Sequence, residues 1–399
     1  MKTYLLATSA LVVSASSALA GGFELQTLDT SAMYEEGSFG SLSYASITSN
    51  LKGKDAKGTK VKTLKDQTLT NLAFKTQVGD FGLGMATYRS GAIQMNGSSD
   101  STFSSAFQIS GNYIPSVNAE LNTMAFLANY NFSENLSVIG GVKNNQLNSF
   151  NLTSIYGSYD ISSKSNSGYV IGSAYHNPSI ALRAEILFHP SSKIKTTGTY
   201  TSALVDFPVD IDGNTDGDLE DTVDVDFPTD IPAGVTGTVA ATLNTPEMIT
   251  LNFQSGIAAD TLIIGSVHQA KWKSSQVNVD VTTVSAGVNA AAAVSSDFSN
   301  STKYTLGVAR KFNDALSGSI SYSTEAGSGS SSTSTFTMSN GSSSINLGLR
   351  YSFEQANLSI GMSQTMFNDV TVDSNTLTSP IEYKNNTATT VGIKLSTSF

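Results

Sequence analysis

Apolar and polar residues alternate one for one through much of the chain, and the stretch Thr387 to Phe399, TATTVGIKLSTSF, shows it most plainly. Thr389, Val391, Ile393, Leu395, Thr397 and Phe399 make one mostly apolar face, and Thr390, Gly392, Lys394, Ser396 and Ser398 make a polar one. Period two predicts a strand wet on one side. Such a strand, with nothing to cover its edge, needs a partner. In a closed barrel the first strand of the same chain supplies it.

The same alternation recurs upstream. Leu72, Phe74, Thr76 and Val78 oppose Asn71, Ala73, Lys75 and Gln77; Ile249, Leu251, Phe253 and Ile257 oppose Met248, Thr250, Asn252 and Gln254. Ile345, Leu347, Leu349, Tyr351 and Phe353 oppose Asn346, Gly348, Arg350 and Ser352. Short turns are predicted at Gly79-Asp80, Ser133-Glu134, Asn177 to Ser179, Ala258 to Asp260, Asn313-Asp314 and Phe353 to Ala356. Longer loops separate the resulting hairpins, near 51–66, 97–118, 151–165, 200–243, 284–299, 327–339 and 373–386. The pattern gives an all-β fold, a 14-stranded antiparallel transmembrane β-barrel over residues 37–399 with both ends on the short-turn side. Tyr130, Phe132, Tyr304, Phe312, Tyr351 and Phe353 gather at strand ends, as interfacial aromatics do.

Residues 21–36 lack alternation and are too few for a domain, so they are expected to form a short N-terminal hatch in the lumen. Residues 1–20 read as a signal peptide: Lys2, an apolar run from Leu5 to Val13, and Ala18-Leu19-Ala20 as cleavage site, with Gly21 starting the mature chain. Beyond that run no window reaches the length of a membrane-spanning helix, which excludes helical spans and leaves a barrel open. Only 14% of residues are charged, mean hydropathy is -0.05, and there is no cysteine for disulfides or thiolate metal sites. The expectation is a monomeric barrel in the outer membrane of a Gram-negative bacterium, surrounded by lipid and lipopolysaccharide.

By parity Lys75, Lys143, Arg183, Glu185, His189, Arg350 and Lys394 point inward. A lumen is polar in any case, because Arg or Lys facing the bilayer midplane costs roughly 2 to 4 kcal/mol. An inward cation is also a natural anchor for a carboxylate, and Lys143, Arg183 and Arg350 are the candidates.

Acidity is concentrated in one loop, in the span of about 200–243. Val205 to Asp230 holds ten Asp and Glu against a net charge of -10 for the whole chain, with no Lys or Arg between Lys195 and Lys271. Inside it Asp212, Asn214, Asp216, Asp218 and Glu220, with Gly217, match the front of a calcium loop, a possible structural calcium site. Val223 stands at the twelfth position where a bidentate acid is required, so a solvated acidic loop is the competing reading. Two near-repeats, DFPVDI from Asp206 and DFPTDI from Asp226, frame the segment as rim anchors or an apolar landing patch.

His176, His189 and His268 are the only histidines and sit in no nucleophile or metal-ligand pattern; nucleotide loops and basic nucleic-acid patches are absent too, so neither an enzyme nor a nucleic-acid binder is expected. The start Gly21-Gly22-Phe23-Glu24-Leu25, the stretch SGYVIGSAYHNPSIALRAEILFHPSSKIKTTGTY from Ser167, TPEMITLNF from Thr245, and Lys271-Trp272-Lys273-Ser274 resemble the FadL/TodX family of outer-membrane transporters for hydrophobic compounds. The resemblance implies a barrel plugged by an N-terminal hatch. Long-chain fatty acids or other hydrophobic molecules would be captured at external loops, held in a pocket near the N-terminus and released sideways through a gap in the wall. It implies that Phe23 touches the ligand, and Leu25 is the second candidate for apolar contact. Where that family carries Asn-Pro-Ala, this chain reads Ser31-Ala32-Met33-Tyr34-Glu35-Glu36-Gly37. A general diffusion porin and a surface adhesion barrel are the alternatives.

Overall fold

The computed structural model describes residues 23, 25–54, 60–97, 114–154, 157–202, 234–284, 294–327, 331–373 and 380–399. The proposed signal peptide and the candidate calcium residues Asp212, Asn214, Asp216, Asp218 and Glu220 lie outside them.

Fourteen antiparallel strands form the wall: β1 (Phe39–Asn50), β2 (Gln67–Val78), β3 (Phe81–Met95), β4 (Ser116–Asn131), β5 (Leu136–Ser154), β6 (Lys164–Asn177), β7 (Leu182–His189), β8 (Met248–Ala258), β9 (Thr261–Ala270), β10 (Ser301–Lys311), β11 (Leu316–Ala326), β12 (Gly341–Ser352), β13 (Asn357–Phe367) and β14 (Thr387–Ser398). Each pairs with its sequence neighbour, and β1 closes on β14 from Phe39↔Ser398 to Asn50↔Thr387. The amides of Ser38 and Phe399 extend that ladder, donating to each other's carbonyls at 3.1 and 2.9 Å. Closure pairs the edge of the first strand with that of the last.

Parity sorts the side chains as the alternation predicts. Leu72, Phe74, Leu251, Phe253, Leu347 and Ile393 are exposed on the outer surface, whereas Lys75, Lys143, Glu185 and His189 are buried inside. A band of exposed apolar side chains around a polar interior is the surface of a barrel that sits in lipid. Aromatic pairs mark its short-turn edge: Phe81 with Tyr130 at 4.8 Å, Tyr130 with Phe132 at 4.9 Å, Tyr351 with Phe353 at 4.8 Å.

The long connections are more ordered than the sequence suggests. Ser192–Ser202, Thr236–Thr245 and Val277–Val284 prolong the wall beyond β7, β8 and β9, and Gly157–Ile161 inserts between β5 and Ser192–Ser202. Thus much of 151–165 and both margins of 200–243, expected as loop, are strand. Their Thr- and Ser-rich composition hid a continuing ladder whose inner face, with Tyr159, Tyr200 and Val239, is buried. A second sheet joins Lys52–Lys54, Lys60–Lys62, Ser331–Ser332, Val370–Val372 and Ile381–Tyr383 from three loops. Its inward residues Val370, Val372, Ile381 and Tyr383 belong to the same apolar cluster as Phe23 and Trp272, so it caps the mouth.

One wall ladder is interrupted. β2 pairs with β3 only from Leu72↔Thr87 to Val78↔Phe81, and contact resumes near Leu64↔Met95. Across the interval β3 carries a bulge at Ser90, where its register with β4 jumps from Arg89↔Asn122 to Gly91↔Leu121.

Candidate functional site

The N-terminal segment fills that interval. The amide of Leu25 donates to the Ser90 carbonyl at 3.0 Å, and the amide of Ala92 donates to the Phe23 carbonyl at 2.9 Å. The segment is therefore a short added strand on the face of the wall where β2 has pulled away. Gly91 permits the approach: a Cβ there would stand 2.5 Å from the Phe23 ring and 3.0 Å from its carbonyl oxygen. Inside the barrel the Phe23 ring meets Trp272 at 4.8 Å and Phe298 at 6.2 Å.

The rest of the segment is pinned by polar contacts. The buried Glu185 carboxylate accepts from Thr30 Oγ1 at 2.8 and 2.9 Å, Tyr34 OH at 2.6 Å and Asn252 Nδ2 at 2.8 Å. Arg183 lies over the Tyr34 ring, 4.6 Å from its centroid. Lys75 Nζ donates to the carbonyls of Glu35 and Gly37 at 2.7 and 2.9 Å, and Lys394 Nζ lies 3.8 Å from Asp29 Oδ2. Leu28 and Met33 add apolar packing against Tyr88, Leu127, Ile139 and Leu187. Burying side chains of this size is worth about 1.5–3 kcal/mol each.

Above this plug lies a partly open cavity. Phe23, Leu28, Tyr88, Leu121, Met248 and Trp272 give it apolar walls, while Lys143, Asn145, His189, Thr250 and His268 make one polar end. Lys143 Nζ is 3.1 Å from His189 Nδ1 and Thr250 Oγ1 is 2.8 Å from His268 Nδ1. An ammonium only donates, so His189 Nδ1 accepts and the imidazole proton sits on Nε2. The polar end is thus rich in donors set in a low-dielectric surround, where they bind an anionic oxygen strongly. A second, smaller space shares Phe23 and Leu121 with the first and is otherwise bounded mostly by Ile93, Ala119, Leu147, Phe150, Leu243 and Val277. Together they offer a polar head site and an apolar extension around the Phe23 ring.

Of the sequence candidates, Phe23 and Lys143 line the cavity. Leu25 does not, but packs into the same apolar cluster. Arg183 and Arg350 face the plug instead, Arg183 on Tyr34 and Arg350 within electrostatic reach of Glu35. Thr250, His268, Trp272 and Tyr88 were not anticipated, because parity tells which face a residue takes and not which residues meet across a lumen. The Ser90-Gly91 pair inside a strand was the sequence signal for the bulge.

No family model and no curated relative matches the chain. Among solved structures it is similar to a Pseudomonas aeruginosa FadL homologue, at 11% identity and TM-score 0.67 over 92% of both chains. The Pseudomonas putida toluene transporter TodX aligns at 13% identity and TM-score 0.63, over 92% of this chain and 91% of that one. The Ralstonia pickettii toluene transporter TbuX aligns at 13% identity and TM-score 0.59, over 96% and 97%. At these identities the likeness shows a shared fold.

Proposed function

We propose that the protein is a passive outer-membrane channel for the uptake of hydrophobic compounds, with long-chain fatty acids as the leading substrate. One observation carries the reading: a cavity with a donor-rich end at Lys143, His189 and His268 continues around Phe23 into an almost wholly apolar space. That shape suits a molecule with a carboxylate head and a hydrocarbon body. A carboxylate entering it exchanges water for charge-assisted hydrogen bonds, and its chain leaves water at about 0.8 kcal/mol per CH₂. Two fold neighbours being toluene transporters supports hydrophobic cargo in general.

The route follows from the same geometry. Entry passes the capped mouth, residence is in the cavity, and exit runs sideways through the interrupted β2–β3 ladder once the added strand at Phe23 and Leu25 withdraws. No covalent step is involved.

Displacement of a fluorescent fatty acid from the purified barrel by oleate tests the reading, paired with planar-bilayer conductance. Saturable oleate binding and a closed baseline are expected. A large, steady open state without oleate binding would make it a diffusion porin.

A further inference from the structure

We propose that the outer face of the loop sheet, built from Lys52, Lys54, Lys60 and Lys62, binds the phosphorylated inner saccharide core of lipopolysaccharide; the proposal rests on the outer-membrane reading above. The argument starts from parity along β1. Its lipid-side residues run Leu42, Tyr44, Ser46, Thr48, Asn50, and the same face continues as Lys52 and Lys54, while Ile47, Ser49, Leu51 and Gly53 continue the buried face. Moving outward, that single face changes from apolar to neutral polar to cationic. Lipopolysaccharide is layered in the same order: acyl chains, glucosamine, then a core bearing phosphate and acid sugars.

From Tyr44, the last large apolar residue of the face, to Lys52 is eight residues. At roughly 3.3 Å rise and a tilt of about 40°, Lys52 stands about 20 Å beyond Tyr44 on the long-loop side of the barrel.

The arrangement is unfavourable without a partner. Lys52 lies directly across from Lys62, and Lys54 across from Lys60, in the antiparallel pair. Like charges directly opposite destabilise a strand pair. Among the described residues, Asp66 is engaged with Lys62 at 2.8 Å, and Glu382, across from Lys54, with Lys384 at 2.7 Å. Lys52, Lys54 and Lys60 are exposed and make no ion pair among the described residues. In a chain of net charge -10 this is a localised cationic patch on the outer face of the loop sheet, and multivalent anions complement it.

Titration calorimetry on the purified barrel in detergent, with lipopolysaccharide carrying a phosphorylated inner core and with lipid A alone, tests the site. The native protein should bind the core-bearing form more tightly. The triple variant Lys52→Gln, Lys54→Gln, Lys60→Gln should lose about fivefold per lysine, on the order of a hundredfold in all, while the triple arginine variant keeps its affinity. Equal affinity of native and glutamine variants, or equal affinity for the two ligands, overturns the proposal. Oleate binding on the same preparations separates this site from the transport reading, since neither triple variant touches the cavity.

Discussion

Replacing Lys143 by Met keeps the aliphatic stem against the cavity wall and removes the ammonium that faces the polar end. Hydrogen bonds to charged groups contribute about 1.5–3 kcal/mol, so oleate affinity should fall by roughly 10- to 100-fold, while a neutral hydrocarbon such as toluene binds unchanged. Displacement titrations with both ligands check this, and equal losses would mean that Lys143 acts through packing. Glu185 is the corresponding residue for the plug, since three donors from Thr30, Tyr34 and Asn252 converge on its carboxylate. Glu185→Gln replaces one acceptor oxygen by a donor facing those donors. Amide exchange over residues 29–36 should accelerate about tenfold or more, with barrel amides unaffected.

At the scale of elements, the added strand and the loop sheet give separate expectations. Gly91→Val places side-chain atoms where the Phe23 ring and carbonyl now lie, and the carbonyl cannot yield without breaking its bond from Ala92. The N-terminal segment should detach, with weaker oleate binding and frequent channel openings in planar bilayers. In the loop sheet, the hydrogen bond from Lys62 holds the Asp66 carboxyl below its ordinary value of 3.8, helped by the Ser49 amide, which donates to it at 2.8 Å. A carboxyl depressed in the folded state contributes stability above its unfolded value and loses it as pH falls through the folded one. The protection factor of the Ser49 amide should therefore hold from pH 7 to about pH 5 and drop below about pH 4. The effect is small, because an exposed pair contributes about 0–1 kcal/mol.

Over the whole molecule, the sequence made the wall legible because a lipid-facing barrel repeats one rule at every residue. Leu72, Leu251, Ile345 and Ile393 face outward where parity puts them, and the six short turns fall where Gly79, Ser133, Asn177, Ala258, Asn313 and Phe353 predicted. What parity cannot carry is height and opposition across the lumen. Arg183, Arg350 and Lys143 all point inward, yet only Lys143 reaches the cavity, since the plug occupies the level of the other two. The interrupted β2–β3 ladder was equally hidden, being set by a single extra residue at Ser90. Deleting residues 25–36 should turn a closed molecule into a steady pore in planar bilayers. A barrel still closed after that deletion would shift the seal to the loop sheet.

The bulge at Ser90 makes plug and wall partners in one equilibrium. The bonds Leu25 gives and Phe23 accepts there are the same bonds that cover the uncoupled stretch of β3. A ligand that binds better with the segment seated, as one lying against Phe23 does, must tighten the wall, and a substitution in β3 that unseats the segment must lower that ligand's affinity. Cargo and exit are thus reciprocally linked: occupancy of the cavity and openness of the side passage report a single free-energy difference, readable from either end.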